Sequence, residues 1–189
     1  SIFDKAFYIV TSEFKVYKCI KAGGGTSNIQ PTQTLTDPQS ESDGYTWKYM
    51  YTIGVSDATK FLTNAYMPVK SISLSAEAVI AATTSSSTTV TLTASNLDIL
   101  VGMTVSGTGV SGTVTVSARN GNVLTLSSAQ SLTAANRLTF AFANDAAAEA
   151  NLTESDFAQY LNQKASRDSS TAAGIEHITV TAAGTGYTN

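Results

Sequence analysis

A mainly β fold of the α+β type follows from three features of the 189-residue chain. Asp43–Ile53 alternates large aromatic and polar residues at period two, the pattern of a half-buried strand. Residues 77–142 carry several short alternating runs in a segment almost free of aromatics and charges. Helical spacing is clearest in Asn144–Lys164. Together they predict a β-sandwich-like main domain with one or two helices, built from residues 1–76 and 143–189. A small all-β sandwich or barrel, residues 77–142, is inserted into it.

Ala6–Thr11 and Phe14–Lys21 are apolar runs of strand length separated by Ser12-Glu13, which predicts a hairpin or two consecutive strands. Residues 22–44, with Gly23-Gly24-Gly25, Pro31 and Pro38, read as a long loop. The Gly run lacks the Lys that a phosphate-binding loop needs before its Ser/Thr. Asp37, Glu41 and Asp43 lack calcium-loop spacing and read as solvated turn residues.

The strand that follows organises the main core. Tyr45, Trp47, Tyr49, Tyr51 and Ile53 fall on one face at period two, and each large ring can bury ~150–250 Å². Tyr45, Trp47, Tyr49 and Tyr51 are therefore the candidate core or interface residues. Trp47 is expected to be buried with its Nε1–H paired, because an unpaired buried donor is costly. Ser56 is expected to cap a short helix reaching Phe61-Leu62, and Lys70–Ser75 alternates as a strand.

From Ala78 to Thr139 there is no aromatic, and the only charges are Asp98, Arg119 and Arg137. Strands are predicted at Thr88–Thr93, Met103–Ser106, Thr113–Ser117, Val123–Ser127 and Leu138–Phe142, with Asn120-Gly121 as a hairpin turn. Gly107–Gly112 matches G-x-G-x-x-G, but a strand-like run follows it where a dinucleotide site needs a helix. Beyond the insert, Thr153 is the expected N-cap of a helix, with Asp156 in the capping-box position and Leu152 and Phe157 placed as a hydrophobic staple. Phe157, Tyr160 and Leu161 share one helical face. Residues 165–173 read as a polar linker, Ile175–Thr181 as a last strand and Ala183–Gly186 as a turn.

Composition narrows the function classes. Net charge is −3 with no basic run, so the electrostatic footprint of nucleic-acid binding is missing. No apolar run approaches the ~20 residues of a membrane span, and no secretory signal opens the chain. Cys19, the single cysteine, reads as a buried, inert thiol. One His and one Cys cannot make a His/Cys metal site, and His177 reads as a strand residue. Glu154 and Asp156 suit the positive end of a helix without any acid–base role. No cofactor, metal or catalytic residue is expected. Without an initiator Met, and stopping just after Gly-Thr-Gly-Tyr-Thr, the chain reads as a fragment or a processed product.

Lys15-Val16-Tyr17-Lys18-Cys19-Ile20, a Gly/Asn/Pro-rich loop and Asp43-Gly44-Tyr45 through Tyr51 together resemble the baseplate wedge protein family of T4-type contractile-tailed phages, the eighth gene product in the T4 scheme. Lys60-Phe61-Leu62, Met67-Pro68-Val69-Lys70 and Gly174–Val180 with Gly184, Gly186 and Tyr187 continue the likeness, which covers residues 3–75 and 172–189. The resemblance implies a non-enzymatic virion protein of the tail baseplate, passing through the host cytoplasm during assembly. It also implies a homodimer that binds neighbouring wedge proteins, with no nucleic-acid or membrane partner. The alternative is a carbohydrate- or receptor-binding β-module whose insert is the adhesive part.

Overall fold

Thr11 and Phe14 close the first hairpin. The Phe14 N–H donates to Thr11 O at 2.9 Å, and Phe14 takes a φ of 60° to make the turn. This sets β1 (Tyr8–Val10) antiparallel to β2 (Lys15–Lys21). The computed structural model describes residues 7–173, with side chains described through Asp168. The expected strand Ile175–Thr181, the turn at Ala183–Gly186 and His177 lie outside the described residues.

Beyond the loop, β3 (Gln39–Ser40) and β4 (Thr46–Thr52) complete a four-stranded antiparallel sheet in the order β1-β2-β4-β3. Val16 and Tyr17 are adjacent and both fully buried. Neighbours on a strand point to opposite faces, so both faces of this sheet are covered here. One cover is α1 (Val55–Phe61) with the segment after it, which contributes Ala58, Leu62 and Met67 to a core with Val16, Tyr51 and Ile53.

Two local expectations fail in this part. Helix α1 is capped by Gly54, not Ser56, and without a side-chain hydrogen bond. Ile53 still bonds to Phe14 O in the sheet, so the helix opens directly off the strand and Ser56 falls inside its first turn. Lys70–Leu74 is not a strand, and only from Ser75 does β5 (Ser75–Val79) begin. The backbone of Lys70 and Ile72 bonds instead to glutamine side chains of a helix described below.

Residues 75–141 form a second sheet. Its strands are β5, β6 (Ser87–Thr91), β7 (Thr104–Gly107), β8 (Val114–Asn120), β9 (Val123–Gln130) and β10 (Arg137–Ala141), in the antiparallel order β5-β10-β7-β8-β9-β6. A bridge between Ile80 and Leu92 brings the two edge strands together, so the sheet curls into a small barrel. Closure removes the exposed edges that such short strands would otherwise present. The predicted hairpin joins β8 to β9, but its centre is Gly121-Asn122, one residue later than Asn-Gly. Asn120 pairs with Val123, and Gly121 takes the positive φ of 59°.

The barrel core does not stop at residue 142. Ile72, Ala148, Phe157 and Tyr160 belong to the same buried cluster as Leu124, Leu138 and Phe140. They come from α2 (Asp145–Asn151), α3 (Glu154–Ala173) and the segment before β5. Helix α3 starts where expected, with the Asp156 N–H donating to Thr153 Oγ1 at 3.1 Å. It then continues through the expected linker to Ala173. No Gly or Pro interrupts 154–173, so nothing in the chain breaks the helix before Gly174.

Phe157→Ala should remove a ring shared by barrel and helix and cost ~3–5 kcal/mol. Thermal unfolding followed in parallel by Trp47 fluorescence and by β-type circular dichroism checks it. A single lowered transition is expected, because α3 ties the two sheets together; two separated transitions would contradict that coupling.

Candidate interaction surface

Antiparallel pairing sets Val16 opposite Tyr51 but Tyr17 opposite Tyr49, which leaves Met50 as an extra residue on β4. This is a β-bulge. Paired residues share a face, and Val16 and Tyr17 lie on opposite faces, so the bulge moves Tyr51 across the sheet from Tyr49. The single aromatic face expected at Tyr45–Ile53 is therefore two. Tyr51 and Ile53 pack with Val16 and Ala58 under α1. Trp47 and Tyr49 pack with Tyr17 and Ala158 under α3, with Tyr45 at the margin.

All four candidate residues are core or near-core rather than free surface. Trp47, Tyr49 and Tyr51 are buried and Tyr45 is half-buried. The Tyr45 ring stacks on Trp47 at a centroid distance of 5.7 Å. The Tyr17 and Tyr49 rings meet edge-on at 5.8 Å, the offset geometry that ring quadrupoles favour. Each tyrosine hydroxyl has a partner: Tyr45 donates to Gly25 O, Tyr17 to Gln33 O and Tyr51 to Pro68 O, while the Tyr49 and Thr52 hydroxyls are hydrogen-bonded to each other at 2.7 Å. The Trp47 indole does not follow suit. Its Nε1–H is buried and finds no acceptor among the described residues, against the expectation of a paired donor. Its ring neighbours include Phe7 and Tyr45, at centroid distances of 5.8 and 5.7 Å.

The loop 22–44 is pinned over this aromatic face. Gln33 donates to Trp47 O at 3.3 Å, Lys15 Nζ to Thr32 O at 3.1 Å, and Thr34 to Glu154 of α3. Asp43 is a turn residue that also ties the loop to the strand, accepting from Ser27 Oγ at 2.7 Å and from the Tyr45 N–H at 3.2 Å. The Ser27 hydroxyl is the main reason its carboxyl titrates below the usual range. Gly23 makes the approach possible, because a Cβ there would lie 2.5 Å from Asp43 O. Of the Gly-rich run, Gly23 is thus close-packed beside Tyr45, whereas Gly24 and Gly25 face open space. The second Gly-rich run, Gly107–Gly112, links the antiparallel strands β7 and β8.

Cys19 is half-buried opposite Trp47 and donates to Lys21 O at 3.3 Å. Burial raises its thiol pKa. Among the described residues no three His, Cys, Asp or Glu side chains converge, and no helix is long and apolar enough to cross a membrane. A cleft of about 260 Å³ opens where β4 meets α1, lined by Ile53, Phe61 and Val69 with Asp57 and Lys70 among its polar residues. Lys70 is held there by Asp156 at 2.5 Å.

Large apolar side chains do reach solvent elsewhere. Phe7, Tyr8, Val10 and Ile20 are exposed along the hairpin of β1 and β2, and Val55, Phe61, Tyr66 and Val69 around α1. Period-two reading missed these because it ranks strands by aromatic content, whereas exposure depends on what covers each face. No family model, curated protein or solved structure matches the chain.

Trp47→Ala should destabilise by ~3–5 kcal/mol, whereas Trp47→Phe should cost clearly less, because it removes no hydrogen bond. Urea midpoints of the two variants decide this; equal losses would mean that the indole N–H has an acceptor after all. Tyr17 provides a pH test. Burial, reinforced by Tyr49 and nearby carboxylates, pushes its phenol up to about 12. A tyrosine held neutral in the fold contributes fully below the unfolded value of ~10 and loses that contribution as pH rises through its folded value. Stability should therefore fall from pH ~10 towards about 12, and Tyr17→Phe should flatten part of that slope. Tyr51 and Tyr160, raised by burial, and Lys164, raised by its bond to Asp145, act in the same direction. An unchanged slope in Tyr17→Phe contradicts the assignment.

Proposed function

We propose that this chain is a structural subunit of a contractile-tail baseplate wedge, working by protein–protein assembly and without catalysis. The observation that carries the reading is the placement of the two most specific segments of the resemblance. Lys15–Ile20 and Gly44–Tyr51 are far apart in the chain, yet β2 lies against β4 with Cys19 opposite Trp47. These two segments of the resemblance thus pair within one sheet, as they must if the likeness is to reflect a shared fold. Its partners in this reading are a second copy and neighbouring wedge proteins, and its place is the tail baseplate of the virion. The exposed apolar residues on the first hairpin and around α1 supply contact area of the kind that interfaces use.

The carbohydrate-binding alternative receives no comparable support. Sugar faces stack on exposed rings, and the two rings that β10 and the residue after it bring to the barrel, Phe140 and Phe142, are buried. The Gly-rich runs have structural roles: Gly23 of the first packs against Asp43 and Tyr45, and the second turns between two strands.

Sedimentation should show a dimer at high concentration, and cryo-microscopy of the source tail should show the four-stranded sheet with its attached barrel in the baseplate. Calorimetry with ATP and with NAD should show no saturable binding at micromolar affinity. A chain that stays monomeric, together with a baseplate map that has no place for it, overturns the reading; micromolar nucleotide binding overturns its non-enzymatic part.

A further inference from the structure

We propose that the edge of β1, unpaired among the described residues, receives an extended, acidic segment of a partner protein, which adds a fifth strand to the four-stranded sheet. The inference rests on the assembly reading only in taking the partner to be a protein.

The first line of support is hydrogen bonding. The Cys19 N–H donates to Phe7 O and the Thr11 N–H to Lys15 O, both at 2.9 Å. In an antiparallel ladder, bonded and non-bonded pairs alternate, so residues 7, 9 and 11 bond inward to β2. The N–H and C=O groups of Tyr8 and Val10 therefore face away from the sheet, and no hydrogen bond among the described residues uses them. Edges left this way template the addition of another strand. Of the usual guards β1 has only its shortness: Tyr8–Val10 is three residues with no Pro and no charge, and its pairing with β2 shows no bulge. Phe7, Tyr8 and Val10 are 51%, 38% and 37% exposed. The other side of the sheet is treated differently. There the outward groups of β4 are occupied, Thr52 N–H by Ser155 Oγ at 2.8 Å and Met50 O by Asn162 at 3.3 Å.

Charge says what the added strand carries. Lys18 lies directly opposite Lys48 in the β2–β4 ladder, and neither has an ion-pair partner among the described residues. Like charges set opposite each other destabilise a sheet. Lys21 joins them on the same face, brought round by the extra residue Ile20, and pairs with Thr46. Tyr8 pairs with Lys18, so this basic face continues to the open edge. A strand added to β1 would set alternate side chains on that face, beside Tyr8 and Val10. Strands lie ~4.8 Å apart, so Lys18 is about 10 Å from the new strand, a gap that extended Lys and Glu side chains span together. A nucleic acid satisfies this surface less well. Phosphates would meet the lysines but leave the strand donors and acceptors unpaired, and the chain as a whole is net negative.

The test uses the whole chain and a fluorescein-labelled peptide of four Glu-Val repeats, read by anisotropy. Saturable binding that weakens as salt rises is expected. Val10→Pro removes one outward N–H while leaving the inward bonds of residues 9 and 11, and should weaken binding at least tenfold. Lys18→Glu replaces a like-charge pair by an opposite one, so it should raise the melting temperature while also weakening binding at least tenfold; that combination separates recognition from folding. Absence of saturable binding overturns the inference, as does retained affinity in either variant. Equal binding of a Lys-Val peptide, or tighter binding of single-stranded DNA, overturns it too. If the wild-type chain is a dimer and Val10→Pro a monomer, the edge belongs to a second copy and the acidic partner is wrong. A failed peptide test alongside a dimer or a place in the baseplate map leaves the assembly reading standing.

Discussion

Helix α3 is held on three sides at once, and the arrangement of both sheets depends on that. Ser155, Ala158 and Asn162 recur at helical spacing and meet β4, where Ser155 and Asn162 bond to backbone groups and Ala158 packs on the aromatic cluster. Asp156, Gln159 and Gln163 form the next stripe. Gln159 and Gln163 donate to Lys70 O at 2.9 and 3.2 Å, and Gln163 accepts from the Ile72 N–H at 3.1 Å. The third stripe is Phe157, Tyr160 and Leu161, which enter the barrel core, with Lys164 bonded to Asp145 of α2 at 2.6 Å. Only one of the three stripes is apolar. The other two are polar because they face backbone groups that no strand pairs, and a buried backbone group without a partner costs ~1–3 kcal/mol.

The bulge at Met50 creates part of that need. An extra residue disrupts the ladder and leaves the Met50 carbonyl to Asn162. The same bulge carries Tyr51 and Ile53 across the sheet, so one aromatic strand serves two cores. Its first half closes against α3 and the loop 22–44, its second half against α1 and the segment that follows. That division explains why Val16 and Tyr17, side by side, are both fully buried. It also explains why the aromatic strand is buried while apolar side chains remain exposed on β1, on β2 and around α1.

Much of this architecture was legible in the residues. The hairpin at Ser12-Glu13, the aromatic strand, five of the six barrel strands and the Thr153 cap all rest on local signals: alternation, turn chemistry and capping, each set by a few neighbouring residues. Expectations failed where a distant partner intervened. Lys70–Leu74 alternates like a strand but gives its backbone to Gln159 and Gln163. Residues 165–173 are as polar as a linker but continue a helix that nothing interrupts. The aromatic row has a clean period of two, and the bulge that splits it leaves no mark in the residues themselves. Composition likewise marked out the stretch 77–142, yet could not reveal that its core continues into Ile72, Phe157 and Tyr160.

The chain by itself therefore determined its fold class, the order of most of its strands and the start of its last helix, because those follow from interactions between residues close in sequence. Tertiary structure alone decided which face each aromatic covers, why α3 is polar on two sides, and which sheet edge is unpaired among the described residues. Those outcomes depend on register and on backbone groups brought together across gaps of up to 112 residues, as between Asn162 and Met50. Nothing local to either end of such a contact encodes the other.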